Sequence, residues 1–358
     1  MRFYGQRHQY TCGVDLHART MHVCVLDRNG QVVHDQNLPA QAEAFIAAIA
    51  PFREDLVVAV ECMFAWYWLA DLCHAHDIAF VLGHALYMKA IHGGKKKNDQ
   101  IDAEKIARLT YGGNLPTAYV YPAKMRATRD LMRRRTLFVR QRAQLQAHIR
   151  MTGQQYNLPA LSRSITAKAN RQGVLKHFAE QDSAVLATIQ ADLTMIDHLN
   201  EQIHALERTI MRHARSHNAI IFHLLCTIPG VGKVLALTML YEIHQIDRFE
   251  RVQDLLSYCR LVKPRKESAG KSSGGASGGK IGNAHLKWAF SEAAVLMMRN
   301  SEAAKKFVER KARRHGKAKA ISLLAAKLGR AVYHMLRDRQ PFDVQRFFNS
   351  QAVTVAGQ

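Results

Sequence analysis

The sequence lacks a hydrophobic run long enough to cross a membrane, because its most apolar stretch, residues 56–73, is interrupted by Glu61 and Asp71. The first ten residues contain no apolar segment of the kind that a secretory signal needs. The 6 cysteines show no CxxC spacing, which argues against a zinc site and a disulfide framework. Acidic residues are few, with 29 Asp+Glu against 51 Lys+Arg. These absences predict a cytoplasmic protein with no membrane partner, and nucleic acid is its first candidate partner.

The positive charge is confined to two zones of the chain. Basic and acidic residues number 11 and 12 in residues 1–122, 9 and 1 in 123–150, 9 and 9 in 151–250, and 22 and 7 in 251–358. Such zoning predicts a nucleic-acid-binding face joined to a separate domain, and a solvated surface is the alternative. The candidate phosphate-binding residues in the two zones are Arg133, Arg134, Arg135, Lys305, Lys306, Arg310, Lys311, Arg313, Arg314, Lys317 and Lys319. Outside these zones, Lys95, Lys96 and Lys97 precede Asp99 and could neutralise phosphate there, and a solvated loop is the alternative.

The first third of the chain, residues 1–122, predicts a mixed α/β domain. Strands are indicated at 12–16 and 21–26, and Asn29-Gly30 indicates a hairpin turn into a third strand at 31–34. The apolar run 56–60 is typical of a buried central strand, and further elements are a helix at 40–50, a strand at 79–82 and a helix at 98–109. We therefore expect an antiparallel hairpin beside buried parallel strands.

The middle, residues 123–218, is predicted to be helical. Residues 124–155 form one predicted helix, and Pro159 and Gly173 mark a predicted linker. A second helix carries apolar residues at alternating spacings of three and four, the pattern of a coiled-coil seam. The seam consists of Ile189, Leu193, Ile196, Leu199, Ile203, Leu206 and Ile210. The pattern predicts an antiparallel hairpin or an oligomerising arm, and a packed bundle is the alternative.

The last third predicts a mainly α domain over 219–345, followed by a tail at 346–358. Helices are indicated at 284–298 and 301–337. Before them, the turn at 228–233 resembles a helix-hairpin-helix turn, in which Gly230, Gly232 and Lys233 would approach a DNA phosphate. A tight interhelical turn without DNA contact is the alternative.

A loop of small residues and lysines spans 263–280. By composition it is a flexible linker, but it equally fits a phosphate cradle with a nucleophilic serine. Its candidate serines and lysines are Ser268, Ser272, Ser273, Ser277, Lys266, Lys271 and Lys280.

Carboxylates occur at positions that an α/β frame can bring together. Asp15 lies within a predicted strand, and Glu61 ends the buried run, at the edge of the sheet where ligands commonly bind. Asp99 and Asp102 share one face of a helix if Asn98 is its N-cap, and Glu104 in that helix is the main competitor for a ligand role. Converging carboxylates need cations, and two Mg²⁺ ions would stabilise a phosphoryl transfer.

Taken in order, these motifs resemble the DEDD-type transposases of insertion sequences, which are bridge-RNA-guided DNA recombinases. The resemblance covers nearly the whole chain. It rests on residues 13–15, 60–61, 97–103, 228–232, 267–271 and 279–283.

The resemblance implies an RNase H-like (RuvC-like) α/β N-terminal domain, a helical coiled-coil middle and a mainly α C-terminal transposase domain. It implies that Asp15, Glu61, Asp99 and Asp102 form a catalytic metal-binding tetrad and that a loop serine attacks DNA to form a 5′-phosphoserine link. Members often have Ser-Ser-Gly where this chain has Ser268-Ala269-Gly270, so Ser268 is the first choice and the other loop serines are alternatives.

The implied partners are donor and target DNA, a structured non-coding RNA encoded by the element, and further copies of the chain. A homo-oligomer of two to four subunits is implied, in which one subunit's serine completes the carboxylate site of another, in the bacterial nucleoid. Two other functions compete with this one. They are a RuvC-like Holliday-junction endonuclease that uses water, and a non-catalytic RNA- or DNA-binding protein.

Overall fold

Five strands form one mixed sheet in the order β3-β2-β1-β4-β5. Their bounds are Tyr10–Leu16 (β1), Thr20–Leu26 (β2), Val32–Pro39 (β3), Leu56–Glu61 (β4) and Ala79–Gly83 (β5). Strand β2 is antiparallel to β1 and β3, whereas β4 is parallel to β1 and β5. The predicted hairpin beside buried parallel strands is confirmed, and β3 is longer than the strand predicted at 31–34. These features belong to a computed structural model that describes residues 2–91, 98–161, 164–262, 267–268, 271–272 and 281–349.

Helices cover both faces of this sheet, within a unit that comprises Met1–Lys124. They are Ala42–Ile49 (α1), Trp66–Ala75 (α2), Ala85–Ile91 (α3) and Asp99–Tyr111 (α4). On one face Val14, Val58 and Val60 pack with the side chains of α1 and α2. On the other face Val57 and Ala59 pack with α4. Strand β4 is therefore apolar throughout, because both of its faces are buried.

The second unit comprises Met125–Gln358 and is helical. Its elements are α5 (Ala123–Gln155, beginning just before the unit), α6 (Arg171–His177), α7 (Ser183–Cys226), α8 (Lys233–Ile243), α9 (Val252–Tyr258), α10 (Ala284–Asn300), α11 (Glu302–His315), α12 (Lys317–Asp338), α13 (Val344–Asn349) and the paired two-residue strands β6 (Glu267–Ser268) and β7 (Lys271–Ser272). Helix α8 is mostly apolar, is buried from Leu235 to Ile243 and lies in the core of this unit. In the part of the chain that is described, no helix is both long enough and apolar enough to cross a membrane.

Helices α5 and α7 form an antiparallel pair within one chain. Four polar contacts join the two helices: Thr128 to His213, Arg135 to Glu207, Arg142 to Asn200 and His148 to Asp192. Later residues of α5 contact earlier residues of α7, so the two helices run in opposite directions. The N-terminal part of the predicted seam, from Ile189 to Ile196, packs in one cluster with side chains of α5 and α6. The hairpin that the sequence predicts is present, and this part of the seam is buried inside the chain.

Two sequence predictions about the helices are wrong. Residues 301–337 form two helices instead of one stretch, because Gly316 adopts a φ of 79° between α11 and α12. Gly173 does not lie in a linker but within the short helix α6. Helix α7 is interrupted at Asn218, whose φ of −162° is non-helical, and the sequence places a domain boundary at the same residue.

Candidate active site

The register of the parallel strands places Asp15 and Glu61 side by side. Val14 pairs with Val60, so the following residues, Asp15 and Glu61, lie at the same level of neighbouring strands. Both carboxylates project from the face that α4 covers, since Val14 and Val60 face α1 and α2 on the opposite side. The carboxyl ends of these strands thus carry two acids on one face, as the sequence predicts.

Gly13 brings α4 close to this face. A Cβ atom on Gly13 would lie 2.2 Å from the carbonyl oxygen of Ala103 and 2.3 Å from the backbone nitrogen of Ala107. No side chain fits there, so the backbone of α4 rests directly on β1. The small side chains of Ala103 and Ala107 are fully buried in the same contact.

The N-terminus of α4 carries the other two carboxylates. Asn98 caps the helix, because its side-chain oxygen accepts a hydrogen bond from the backbone N–H of Ile101 at 2.7 Å. Asp99 and Asp102 both lie in the first turn, where the helix dipole favours negative charge. The predicted cap is confirmed.

His17 lies between two of these carboxylates and was missed by the sequence prediction. Its Nε2 is 3.3 Å from Oδ2 of Asp15 and 3.5 Å from Oδ1 of Asp99. Ligand atoms of these three residues all lie within 4.8 Å of one another, and they are the one group of potential metal ligands found among the described residues. A histidine two residues after a strand aspartate was the available signal, because alternate strand residues share a face.

Electrostatics reflect this crowding of charge. Burial raises the pKa of Asp15 above its usual range, the His17 side chain lowers it, and Asp99 and Asp102 raise it further. Like charges that gather in a partly buried place are typical of sites that take a cation.

Two acids of α4, Asp102 and Glu104, form ion pairs with basic residues of the same helix. Lys105 donates to Asp102 at 3.0 Å, so a lysine borders the carboxylate group. Glu104, the competitor for a ligand role, instead pairs with Arg108 at 2.6 Å. Asp102, and not Glu104, is among the charges that raise the pKa of Asp15, so Asp102 is the nearer of the two to the site.

A second polar cluster flanks the carboxylates on the same face. His22 lies opposite Asp15 in the register of β1 and β2, and its Nε2 is 2.5 Å from Oδ1 of Asp35 on β3. The side chain of Gln100 also donates to Asp35. This bond ties the first turn of α4, between Asp99 and Ile101, to the sheet.

Several predicted site residues lie outside the described residues, in whole or in part. Lys95, Lys96, Lys97, Lys266, Ser273, Ser277 and Lys280 lie outside them altogether. For Ser268, Lys271 and Ser272 only the backbone is described, in the short strands β6 and β7. The roles predicted for these residues stay predictions.

The turn at 228–232 joins α7 to α8, and its two glycines differ. Gly230 has a φ of 85°, and a Cβ there would lie 2.5 Å from the backbone nitrogen of Met297 in α10. It therefore serves a tight turn that packs inside the unit. A Cβ on Gly232 would meet nothing within 4 Å, and Gly232 and Lys233 are exposed at the start of α8. Gly232 and Lys233 are therefore the part of the turn that a phosphate could reach.

Of the three consecutive arginines at 133–135 in α5, two form ion pairs and one is exposed. Arg133 pairs with Glu242 and Arg135 pairs with Glu207, at 2.8 Å and 2.7 Å. Arg134 is exposed. Phosphate would have to compete with these ion pairs for Arg133 and Arg135, so Arg134 is the most accessible cation of the run.

The second basic cluster is exposed. Helix α11 and the first turn of α12 present Lys305, Lys306, Arg310, Arg313, Arg314, Lys317 and Lys319 at the surface, and Lys311 is half-buried. Glu302 pairs with Lys305 at 3.7 Å, but the charge of the helix remains strongly positive. Such a surface attracts polyanions.

Comparisons with known proteins agree with this architecture. A family model described as "Transposase IS116/IS110/IS902 family" matches residues 222–309, and the model of the IS110-type DEDD transposases matches residues 12–157. A "Transposase for insertion sequence element IS1111A" from Coxiella burnetii is 23% identical over 344 residues, which cover 92% of this chain and 90% of the relative. A "Probable family 20 transposase" from Pseudomonas aeruginosa is 24% identical over 281 residues, 77% of this chain and 80% of the relative.

The α/β unit with its carboxylates and the helical unit that follows it in the sequence are thus those of a transposase. The two family models together match more than half of the chain, one in each unit. The chain belongs to the IS110 family of DEDD transposases of insertion sequences.

Proposed function

We propose that this transposase cuts and rejoins donor and target DNA through a serine ester, with Mg²⁺ held by four carboxylates and with guidance by a structured RNA encoded by its element. The observation that carries the proposal is the gathering of carboxylates on one face of the sheet. Asp15 and Asp99 approach the same nitrogen of His17, and Glu61 lies level with Asp15 on the next strand.

The donor set suits Mg²⁺, which prefers carboxylate oxygens. The raised pKa of Asp15, due to burial and to the nearby Asp99 and Asp102, indicates repulsion that a divalent cation would relieve. Asp15, Glu61, Asp99 and Asp102 would hold two such ions. When bound, they would neutralise charge on the scissile phosphate. His17 would hold a proton on Nε2 and donate it to Asp15 or Asp99, which orients these carboxylates.

The proposed covalent step exchanges one phosphate ester for another. The hydroxyl oxygen of Ser268 bonds to the scissile phosphorus, its proton is lost to solvent, and the bond from phosphorus to the 3′ oxygen breaks. The 3′ oxygen takes up a proton, and the DNA stays attached through its 5′ phosphate. Because the ester conserves the bond energy, attack by a different 3′ hydroxyl can rejoin the strands.

Further parts of the proposal concern fold and partners. The strand order, with β2 alone antiparallel to the other four strands of the sheet, supports an RNase H-like (RuvC-like) first domain. The exposed cations of α11 and α12 support an extended nucleic-acid contact. Guidance by RNA and assembly of two to four subunits are supported by the resemblance in sequence motifs.

The test is strand cutting on a plasmid that carries the element's ends, together with the element's RNA, followed by detection of a detergent-resistant protein–DNA adduct. Ser268→Ala should abolish both cutting and adduct. Asp15→Asn and Asp102→Asn should each lower cutting at least about 100-fold, since several kcal/mol of charge stabilisation are lost. Glu43→Gln, an exposed acid on α1 across the sheet, should cut at the normal rate.

The possible outcomes separate the competing functions. Cutting by Ser268→Ala without an adduct would establish a water-using endonuclease instead. Full activity of both aspartate variants would refute the carboxylate mechanism. Sequencing of RNA that copurifies with the protein tests guidance, and a preparation that recombines plasmids without any RNA would contradict it.

Binding of DNA should depend strongly on salt. Replacing Arg313 and Arg314 together with alanine should lower the slope of log affinity against log salt by about 2, if each arginine contacts one phosphate. The matched control is Arg212→Ala, an exposed arginine in α7, a helix with 4 acidic residues and 3 basic ones. Titrations of a DNA duplex at several salt concentrations measure both slopes, and equal slopes would remove α11 from the DNA-binding surface.

A further inference from the structure

The residues on either side of the serine loop are bonded to one another. Tyr258 and Arg260 precede residues 263–280, and Gly282 and Asn283 follow them. The backbone N–H of Asn283 donates to the carbonyl oxygen of Tyr258 at 2.6 Å, and Nε of Arg260 donates to the carbonyl oxygen of Gly282 at 2.9 Å. The base of the loop is therefore closed by two hydrogen bonds.

Gly282 makes this closure possible. Its φ is 94°, and a Cβ atom there would lie 2.6 Å from the carbonyl oxygen of Tyr258. A side chain would be strained by the backbone conformation and would also push the two ends of the loop apart.

The side chain of Asn283 has two separate functions. Its oxygen caps α10 by accepting from the backbone N–H groups of His285 and Leu286 at 2.9 Å and 3.0 Å. Its nitrogen donates to Oε2 of Glu242 at 2.7 Å and to the hydroxyl oxygen of Tyr258 at 3.3 Å. The cap stabilises a helix, whereas the second set of bonds links the loop to α8.

Glu242 is itself held by α5. Its side chain is 2% exposed, and its two oxygens accept from Nε of Arg129 at 2.9 Å and from Nε of Arg133 at 2.8 Å. Burial would raise the pKa of this carboxyl, but the bonds from Arg133 and Asn283 and the charges of both arginines lower it to about 2. Because this carboxylate is charged, buried and bound by two arginines, it holds the side-chain amide of Asn283 in one position.

We propose that Glu242 and Asn283 are positioning residues that set the base of the serine loop, and through it the place of the attacking hydroxyl. The inference rests on the proposed function, because it assigns a purpose to the loop that contains Ser268. Displacement of a reacting group by about 1 Å can lower a rate about 100-fold, so loss of the link should slow adduct formation without loss of DNA binding.

The test is Asn283→Ser. Serine is as good an N-cap as asparagine, but it is too short to reach Glu242. At saturating DNA, the rate of adduct formation should fall about 10- to 100-fold while the DNA affinity stays near that of the wild type. The melting temperature should fall as well, because a buried carboxylate loses one hydrogen bond, and the stability control below separates that effect from the rate. Deuterium uptake at residues 281–284 should rise, which reports directly on the base of the loop.

The matched control is Ser301→Ala, which removes the N-cap of α11, where the Ser301 hydroxyl accepts from the backbone N–H of Ala304. It should lose stability but keep its rate of adduct formation. Should Asn283→Ser fail to fold, Tyr258→Phe removes one acceptor of the Asn283 amide and should lower the rate in the same direction. A normal rate in Asn283→Ser despite faster deuterium uptake, or an equal loss in Ser301→Ala, would overturn the inference. A wild type that cuts without any adduct would refute the proposed function instead.

Discussion

Replacing Gly13 with alanine is expected to abolish DNA cutting and to destabilise the first unit. The new Cβ would lie 2.2 Å and 2.3 Å from backbone atoms of Ala103 and Ala107, and backbone atoms cannot rotate away as side chains do. Helix α4 must therefore move off β1. Overpacking of this kind costs about 1–3 kcal/mol and sometimes more.

The loss of activity should exceed the loss of stability. Helix α4 carries Asp99 and Asp102 in its first turn, so its displacement separates them from Asp15 and Glu61 on the sheet. A shift of about 1 Å is enough to lower the cutting rate about 100-fold. Thermal unfolding and strand cutting on the same preparation measure the two effects.

Two further variants make the Gly13 experiment specific. Gly5→Ala should behave like the wild type, because a Cβ there meets nothing within 4 Å. The double variant Gly13→Ala with Ala107→Gly should not recover activity, because the closest contacts are to the helix backbone and not to the side chain of Ala107. Normal cutting by Gly13→Ala would show that α4 does not need its present contact with β1.

The place of each of the four carboxylates, on β1, at the end of β4 and in the first turn of α4, could be predicted because it follows from a local periodicity; among them Asp15 and Asp99 share the ligand group with His17. The apolar run that ends at Glu61 defines a strand, alternation along a strand defines the face of Asp15, and a cap at Asn98 puts Asp99 and Asp102 in one turn. Convergence then requires only that α4 lie on that face. Gly13 meets this requirement, and glycine at a strand centre indicates close approach of another backbone.

Other parts of the molecule could not be predicted because they depend on contacts between distant segments. The run Arg133 to Arg135 has the composition of a phosphate-binding surface, yet two of its three members face acids on α7 and α8. In the sequence, Glu242 is the one acidic residue of the mostly apolar helix α8. The partners of Glu242 are more than 40 positions away in either direction, so the hydrophobic periodicity of the helix does not indicate them.

Replacing Glu242 with glutamine is expected to produce the largest loss of stability in the second unit, about 3–5 kcal/mol. Removing one partner of a buried ion pair leaves the other charge without compensation. Most of this loss should come from Arg129, which is 10% exposed, because Arg133 is 37% exposed and water screens its charge. Urea unfolding at pH 7 measures the difference in the free energy of unfolding.

The matched control is Glu207→Gln, which breaks the pair with Arg135 elsewhere on α5. Glu207 is 32% exposed, so the loss there should be at most about 1 kcal/mol. If both variants lost a similar free energy of unfolding, the Glu242 ion pairs would contribute no more than a surface salt bridge does.

The loss in Glu242→Gln should also depend on pH. The pKa of Glu242 is lowered from 4.5 to about 2 in the folded chain, so its charge stabilises the fold above pH 4.5 and ceases to do so as the pH falls toward 2. The contribution of the Glu242 carboxylate to the gap between wild type and variant should therefore be constant from pH 7 to 5 and should narrow between about pH 4.5 and 2. The pKa of His285 is lowered mainly by burial and is raised by Glu242, so its titration differs between the two proteins and adds to the gap as the pH falls below 6.5. A gap that stays constant down to pH 3 would contradict a charged, buried Glu242.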